Sequence, residues 1–379
     1  MSHLLVTNLH KQFAGKPPTT AIDQLSFEIE EGEFVVLLGP SGCGKTTTLR
    51  CLAGLEKADA GTITLGGRTW FDSARRVALP PEKRNIGMVF QSYALWPHMT
   101  VRRNIGYPLR ARRKKGQDAA RWVEEAAALV GCQNLLDRYP AQLSGGQQQR
   151  VSLARSLVSR PDLILFDEPL SNLDAKLRED VRAQLHELHR RLRFTAVFVT
   201  HDQSEALALA ERVAVMREGR FEQIGTPHEV FEHPATEYVA DFIGLSVRLE
   251  ATRTDGITRL AGVAADGRLP APVRHGEFVL RARPDDLRIG PTAPALPTMT
   301  TVPVSIVDKV FGGRTIDVYV RLGEQRVHAR IPVDDTYGWV RGLRAGDEVV
   351  LGFRPENVRA YASDGAAIVP DEALSPLGS

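Results

Sequence analysis

The residues with the clearest chemistry form a glycine-rich stretch near the start of the chain. The stretch follows a G-x-x-x-x-G-K-T pattern between an apolar run at residues 34–38 and a helical pattern, and it consists of Gly39, Pro40, Ser41, Gly42, Cys43, Gly44, Lys45, Thr46 and Thr47. Glycines let successive backbone N–H groups converge on a phosphate, and the following helix adds its positive N-terminal end. Lys45 would reach the terminal phosphates, and the Thr46 hydroxyl would ligate Mg²⁺. A plain glycine turn is the alternative, but motif and context agree and predict a nucleoside triphosphate site.

A second candidate for anion binding follows Leu143 and runs directly into a helical pattern. It consists of Ser144, Gly145, Gly146 and Gln147. Free N–H groups and the helix macrodipole both favour negative charge at such a helix start. The alternative is an ordinary serine N-cap. That alternative would be preferred for the motif alone, whereas the neighbouring phosphate motif favours a second anion site.

Acidic and basic side chains follow two further apolar runs of strand length. Asp167 and Glu168 come directly after residues 163–166, and His201 follows residues 195–200. Sheets of α/β proteins place their ligands at the carboxyl ends of the strands. Asp167 would hold Mg²⁺ through water, and Glu168 would accept a proton from, or polarise, the attacking water. His201 could donate a hydrogen bond to the γ-phosphate. The alternative for the two carboxylates is a helix-capping pair.

Length and composition fit a two-domain protein without an obvious export or membrane segment. The chain has 379 residues, with 48 Lys+Arg against 46 Asp+Glu, and its net charge of +2 argues neither for nor against nucleic acid. Three cysteines show no metal-ligand spacing. There is no run of eighteen apolar residues and no signal-peptide pattern. We therefore expect a protein that neither crosses a membrane nor is exported by that route.

Two positions have an open interpretation from the residues alone. Phe13, before a Gly/Pro/Thr loop, could anchor the hydrophobic core or form a stacking platform for adenine. Gln91 ends another apolar strand at residues 85–90, and the aromatic segment at 92–100 after it would be either core or a docking surface.

The chain beyond residue 235 changes to short β-like runs separated by Gly and Pro. An internal repeat at an offset of 71 relates residues 278–288 to residues 349–359, each with a strand followed by Arg-Pro and an acidic residue. Such a repeat indicates two intertwined or duplicated β segments. We predict a nucleotide-binding domain at 1–235, an all-β, oligonucleotide-binding-like (OB-like) domain at 236–361, and a flexible tail at 362–379.

Taken in order, the motifs resemble the full set of an ABC-transporter ATP-binding subunit of the importer type. The resemblance covers about residues 4–235 and rests on 39–46, Gln91, 143–147, 163–168, 171–175 and His201. It implies an α/β P-loop NTPase with a RecA-like core and a helical subdomain. The later β-rich part is similar to the C-terminal TOBE region of importer ATPases for maltose, iron(III) and polyamines.

The resemblance also implies roles and partners. In this family two copies form a head-to-tail homodimer that holds ATP between the P-loop of one copy and the Ser144 to Gln147 segment of the other. Asp174 would communicate across the dimer, Gln91 would sense Mg²⁺ and the attacking water, and Phe13 would stack on adenine. Residues 92–107 would receive the coupling helix of a membrane subunit.

The sequence thus predicts an ATP- and Mg²⁺-dependent ATPase on the cytoplasmic face of the cell membrane. Its partners would be two membrane-spanning permease subunits and, indirectly, an extracytoplasmic solute-binding protein, with no nucleic acid. Importers of iron(III) and of polyamines resemble this chain, including around residues 93–101, and iron(III) is the preferred solute, with polyamines, sugars and other solutes as alternatives. Partners select the solute in this family, so the chain itself does not define it.

Three other classes fit the chain less well. A soluble ABC protein acting on ribosomes carries two cassettes, and DNA-repair relatives carry coiled-coil or zinc insertions. An exporter subunit would normally lack the β-rich domain. A nucleotide sensor without turnover would not need both Glu168 and His201.

Overall fold

The protein divides into two units, Met1–Val230 and Phe231–Ser379. The structure is a computed structural model that describes residues 3–112, 116–270, 276–291, 298–333 and 335–368. No helix in these ranges is both long and apolar enough to cross a membrane.

The first unit contains two sheets and a set of helices. Its strands are β1 (Leu4–Phe13), β2 (Thr19–Ile29), β3 (Phe34–Leu38), β4 (Ala60–Leu65), β5 (Arg68–Asp72), β6 (Val77–Ala78), β7 (Ile86–Val89), β8 (Leu163–Asp167), β9 (Ala196–Thr200), β10 (Arg212–Arg217) and β11 (Arg220–Gly225). Its helices are α1 (Lys45–Ala53), α2 (Val101–Ile105), α3 (Tyr107–Ala111), α4 (Gln117–Leu129), α5 (Gly145–Leu157), α6 (Ala175–Leu192) and α7 (Gln203–Leu209), and α8 (Pro227–Glu232) spans the boundary between the units.

A six-stranded sheet with the order β11-β10-β3-β9-β8-β7 positions the candidate site. Its neighbours from β10 to β7 run parallel, and every residue of β3, β8 and β9 is buried. Continuous apolar runs suit such strands because both faces of a parallel sheet are covered. The register pairs Leu38 with Thr200 and Asp167 with Val199. The residues that follow β3, β8 and β9 therefore meet at one edge of the sheet.

The second unit is rich in strands, as predicted. It contains helix α9 (Glu237–Phe242) and strands β12 (Val247–Thr254), β13 (Ile257–Leu260), β14 (Val263–Ala265), β15 (Gly276–Ala282), β16 (Leu287–Gly290), β17 (Thr300–Phe311), β18 (Thr315–Leu322), β19 (Gln325–Pro332), β20 (Glu348–Phe353) and β21 (Arg359–Tyr361). They form two five-stranded sheets with the orders β14-β13-β12-β15-β21 and β16-β20-β17-β18-β19. The predicted fold class, an α/β ATPase fold followed by a β-rich domain, is confirmed.

The internal repeat corresponds to two intertwined strand pairs. The first repeat supplies β15 and β16, and the second supplies β20 and β21. Because β15 pairs with β21 and β16 pairs with β20, each repeat contributes one strand to each sheet. Leu280 of β15 and Leu351 of β20 belong to the same buried core. The two copies of the repeat are thus intertwined and do not form two separate units side by side.

Part of the expected tail is attached to the second unit. The Gly365 carbonyl accepts a hydrogen bond from the Glu237 amide, and the Ile368 amide donates to the Ala360 carbonyl. Residues 362–368 are therefore held by backbone hydrogen bonds, and residues 369–379 lie outside the described residues.

Candidate nucleotide-binding site

The loop after β3 requires glycine at two positions for steric reasons. Gly44 has φ 105°, and a β-carbon there would lie 2.1 Å from the carbonyl oxygen of Ala21. A β-carbon on Gly39 would lie 2.6 Å from the Met216 carbonyl oxygen. Neighbouring strands thus press on the loop from two sides, and its path brings the backbone N–H groups at the start of α1 into position for an anion.

Lys45 lies within this loop rather than in solvent. Its side chain donates hydrogen bonds to the carbonyl oxygens of Gly39, at 2.7 Å, and Pro40, at 2.8 Å, and the residue is only 4% exposed. A buried ammonium needs such acceptors. The charge is therefore held close to where a phosphate would meet the loop amides.

Thr46 and Asp167 are brought together from α1 and β8. The Thr46 hydroxyl donates to the Asp167 carboxylate at 3.2 Å. Burial raises the pKa of Asp167, while the hydrogen bond from Thr46 acts in the opposite direction. Hydroxyl and carboxylate oxygens are ligands that Mg²⁺ prefers. In the described residues there is no group of three or more His, Cys, Asp or Glu side chains that could hold a metal alone.

Glu168 and His201 form a second pair at the same edge. The His201 Nδ1 atom lies 3.2 Å from a carboxylate oxygen of Glu168. Glu168 has φ 45°, an unusual value for a non-glycine residue, and its amide donates to the Val199 carbonyl oxygen. Residues held in this backbone region tend to occur at functional sites. A carboxylate at this position could accept a proton from water, and a neighbouring imidazole could orient it.

The side chain of Gln91 does not contact the candidate Mg²⁺ ligands through a hydrogen bond within the described ranges. Its side chain is exposed, and within the described ranges no hydrogen bond connects it to Thr46 or Asp167. Its backbone carbonyl instead accepts a hydrogen bond from Asn172 at 3.0 Å.

Ser144 is the N-cap of α5, as the capping interpretation of this serine predicted. Its hydroxyl accepts from the Gln147 amide at 3.4 Å, and the Ser144 amide donates to the Gln147 side chain at 3.0 Å. A β-carbon on Gly146 would lie 2.5 Å from Leu177 on α6, and Asp174 caps α6 by accepting from the Leu177 amide. The segment and Asp174 are thus close together, and no hydrogen bond among the described residues joins the segment to the loop at 39–47.

Phe13 lies at the end of β1 and is 40% exposed. The Lys11 ammonium is 5.1 Å from its ring centroid. The same hairpin contacts the phosphate-binding loop, because Ala21 of β2 approaches Gly44. Because the ring is this exposed, it does not anchor the hydrophobic core, and its stacking on adenine stays a prediction.

The aromatic segment at 92–107 is held by a buried arginine that the sequence analysis missed. Arg155 on α5 donates to the carbonyl oxygens of Tyr93 and Ala94, which have φ values of 60° and 48°. Its guanidinium lies 5.0 Å from the Trp96 ring centroid, and the Trp96 ring lies 4.0 Å from that of Tyr107. The sequence did contain a signal for this buried arginine, because Arg155 follows Val151 by four residues and so lies on the apolar face of the helical pattern.

A second missed residue links two candidate segments. Arg178 on α6 donates to the Leu173 carbonyl oxygen at 3.1 Å, and its guanidinium lies 3.5 Å from the carboxylate of Asp202. Asp202 caps α7 directly after His201. The residues before Asp174 are thereby connected to those after His201.

Two family models and several known proteins are similar to this chain. The ABC transporter family model matches residues 22–171, and the TOBE domain model matches residues 280–360. The chain is 44% identical to the spermidine/putrescine import ATP-binding protein PotA of Nitratidesulfovibrio vulgaris, over 81% of this chain and 84% of that protein. It is 43% identical to the trehalose/maltose import ATP-binding protein MalK of Thermococcus litoralis, over 89% and 88% respectively.

A solved structure is also similar. It is a dimeric, post-hydrolysis state of the ATP-binding cassette MJ0796 bound to ADP and Pi, with 31% identity and a TM-score of 0.51. The match covers 59% of this chain and 98% of that one.

Proposed function

This chain belongs to the ABC transporter family, as an ATP-binding subunit of the importer type with a TOBE domain and ATPase activity, and we propose that it drives solute uptake through separate membrane subunits. The observation that carries the proposal is the arrangement of the nucleotide site. The phosphate-binding loop, Asp167, Glu168 and His201 lie at one sheet edge, whereas the Ser144 segment makes its contacts elsewhere in the chain.

We propose that a second copy completes the site. In a head-to-tail homodimer, the Ser144 to Gln147 segment of one copy would face the loop of the other. The dimeric state of the MJ0796 cassette supports this arrangement. ATP binding would close the dimer, and hydrolysis would reopen it.

The roles of the site residues follow from their chemistry. Lys45 and the loop amides bind phosphate, Glu168 accepts the proton of the attacking water, and His201 orients the reacting groups. Mg²⁺ would be held by the oxygens of Thr46 and Asp167, with Gln91 as a further ligand, and it would neutralise charge on the phosphates. Asp174 and Phe13 keep their proposed roles in the dimer contact and adenine stacking.

The membrane partner would bind the segment at 92–107. The half-exposed Trp96 and Tyr107 rings and the arginine-supported turn before them form a preorganised surface for a partner helix. The chain would then lie on the cytoplasmic face of the cell membrane.

The solute is a separate proposal. PotA and MalK are named for polyamine and sugar import. The choice of iron(III), made from the sequence around residues 93–101, has no support from these two names and stays a prediction.

The first experiment measures ATPase activity of the purified chain against its concentration. We expect activity to rise more than linearly, because two copies form each site. Glu168→Gln should reduce the rate by about 10²–10⁴-fold, the range typical of general base catalysis.

Two substitutions at Ser144, one charged and one neutral, distinguish a role in the dimer site from a role in helix capping. Asp and Asn cap helices about equally well, so Ser144→Asp and Ser144→Asn should both keep α5 intact. Only the Asp variant places a carboxylate near the expected phosphate, and it should lose most of its activity while the Asn variant retains it. A rate that is linear in concentration and equal in the two variants would exclude the composite site.

A further inference from the structure

A groove separate from the nucleotide site lies between α4, α5, α6 and the end of β8. Its volume is about 510 Å³, within the roughly 300–1,000 Å³ usual for small-molecule sites. Apolar side chains form much of its lining, including the half-buried Leu129 and the more deeply buried Leu153 and Leu188. The nucleotide-site side chains described above are not part of this lining. The groove therefore offers an apolar surface of ligand size that the ATPase reaction does not use.

A buried polar atom of Gln149 belongs to this groove. Gln149 lines it and is only 4% exposed, and its Oε1 atom is buried without a hydrogen-bond partner in the described part of the chain. Leaving such an atom unsatisfied in a folded protein is unfavourable. Because this atom has almost no exposed surface, the Gln149 amide would have to turn towards the groove for an N–H or O–H donor on a bound molecule to recover that free energy.

The groove also carries an excess of positive charge. Arg150 and Arg191 line it, together with one acidic residue, Glu187. Neither arginine forms an ion pair or a side-chain hydrogen bond with another described residue. Guanidinium groups bind carboxylates and sulfonates through charge-assisted hydrogen bonds. The free donors thus favour an anion over a neutral or cationic ligand.

We propose that the groove binds a small amphipathic organic anion. Its apolar body packs on the leucine side chains, a donor group meets the Oε1 atom of Gln149, and the acidic group binds Arg150 and Arg191. The bound molecule contacts α5 and α6, the helices that begin at Ser144 and Asp174. The ligand site therefore lies against α5, whose first turn includes the segment expected to face the second copy, and against α6.

The probe for this site is 8-anilinonaphthalene-1-sulfonate, which combines an apolar body, an N–H donor and a sulfonate. It is titrated into the full-length chain by fluorescence, with calorimetry for the stoichiometry. Ala183 is exposed on α6 and lines the groove, so Ala183→Trp should fill the groove without disturbing the core. We expect one probe per chain for wild type and at least about tenfold weaker binding for this variant. His186→Trp, also exposed on α6 but outside the lining, is the matched control and should bind within about twofold of wild type.

Two further comparisons test the charge and the donor. Arg190 and Arg191 both lie in the last turn of α6, so reversing either charge affects the helix dipole similarly. Arg191→Glu should weaken probe binding about tenfold, whereas Arg190→Glu should have less than about a twofold effect. Gln149→Leu should weaken binding of the probe but not of naphthalene-1-sulfonate, which lacks the N–H donor. Equal affinities for wild type and Ala183→Trp, or equal losses within the matched pairs, would overturn the proposal.

Discussion

Replacement of Arg155 by methionine tests how the segment at 92–107 is supported. Arg155 is 6% exposed and donates to Ala94 at 2.5 Å, to Tyr93 at 2.9 Å and to the Ser152 hydroxyl at 3.4 Å. Burial lowers its pKa to about 10, so the side chain stays charged at neutral pH. Methionine keeps most of the side-chain volume and removes the charge and every donor.

The magnitude follows from the groups that lose their partners. The Tyr93 carbonyl oxygen keeps its hydrogen bond from Ser152 at 3.0 Å, whereas the Ala94 carbonyl oxygen loses the side-chain donor it has. An unsatisfied carbonyl costs about 1–3 kcal/mol, and a desolvated cation–π contact such as that with Trp96 adds about 1–2 kcal/mol. Removing a buried charge offsets part of this cost. We expect a net loss of about 3 kcal/mol.

Scanning calorimetry measures this loss in the transition of the first unit. For a unit of this size the change corresponds to a decrease in Tm of about 6–12 °C. Arg150→Met is the matched control on the same helix, because Arg150 has no ion pair or side-chain hydrogen bond among the described residues, and it should shift Tm by no more than about 2 °C. Hydrogen exchange of peptides covering residues 92–100 should accelerate in Arg155→Met alone. Equal Tm values for the two variants would refute the proposed supporting role of Arg155.

The remaining predictions concern other parts of the fold. Gly44→Ala should abolish nucleotide binding, measured by calorimetry, because its β-carbon would meet the Ala21 carbonyl oxygen. Gly66→Ala is the control: Gly66 also has a positive φ but has open space around it, so this change should lower the free energy of unfolding by only about 1–2 kcal/mol. Burial lowers the pKa of His189, so the folded state binds a proton there less tightly than the unfolded state does. The neutral side chain therefore contributes to folding stability above the unfolded-state pKa of about 6.5, and this stability is lost as the pH falls towards the folded-state pKa. Denaturant titrations should show a component of up to about 1.4 kcal/mol per pH unit in that window, reduced in His189→Gln. Tyr361→Phe removes a buried hydrogen bond to the Pro234 carbonyl and should cost about 1 kcal/mol by the same method.

The sequence predicted the strands that carry the site because their signals are local. Runs such as 34–38 and 163–166 are short, apolar and directly followed by polar residues, so both the strand and the position of its ligand-facing end can be inferred. The partner of Gln91, by contrast, is Asn172, 81 residues away. A hydrogen bond between residues so distant in the chain leaves no periodic pattern in the sequence.

Two other features could not be predicted for different physical reasons. Tyr93 and Ala94 adopt left-handed conformations that neither residue favours by itself, and Arg155, on another element, stabilises them. In the second unit the repeat was visible, but the paired residues of β15 and β21 are 78 to 82 positions apart in the sequence. The repeat is compatible with separate or intertwined segments, and only the pairing distinguishes them.

The two interpretations of Ser144 turn out to be compatible, which bears on how two copies would share a nucleotide. A helix start leaves four backbone N–H groups without intrahelical partners. The capping box satisfies the amides of Ser144 and Gln147, but the described residues provide no acceptor for the amides of Gly145 and Gly146. A serine cap therefore fixes the direction of α5 while two first-turn amides remain without a hydrogen-bond partner among the described residues. Glycine at these two positions leaves those donors unobstructed by side chains, and the contact of Gly146 with Leu177 sets the segment against the helix that begins at Asp174. A single chain thus places free backbone N–H groups at two separate helix starts, which is the arrangement that the proposed head-to-tail pair needs for two equivalent sites.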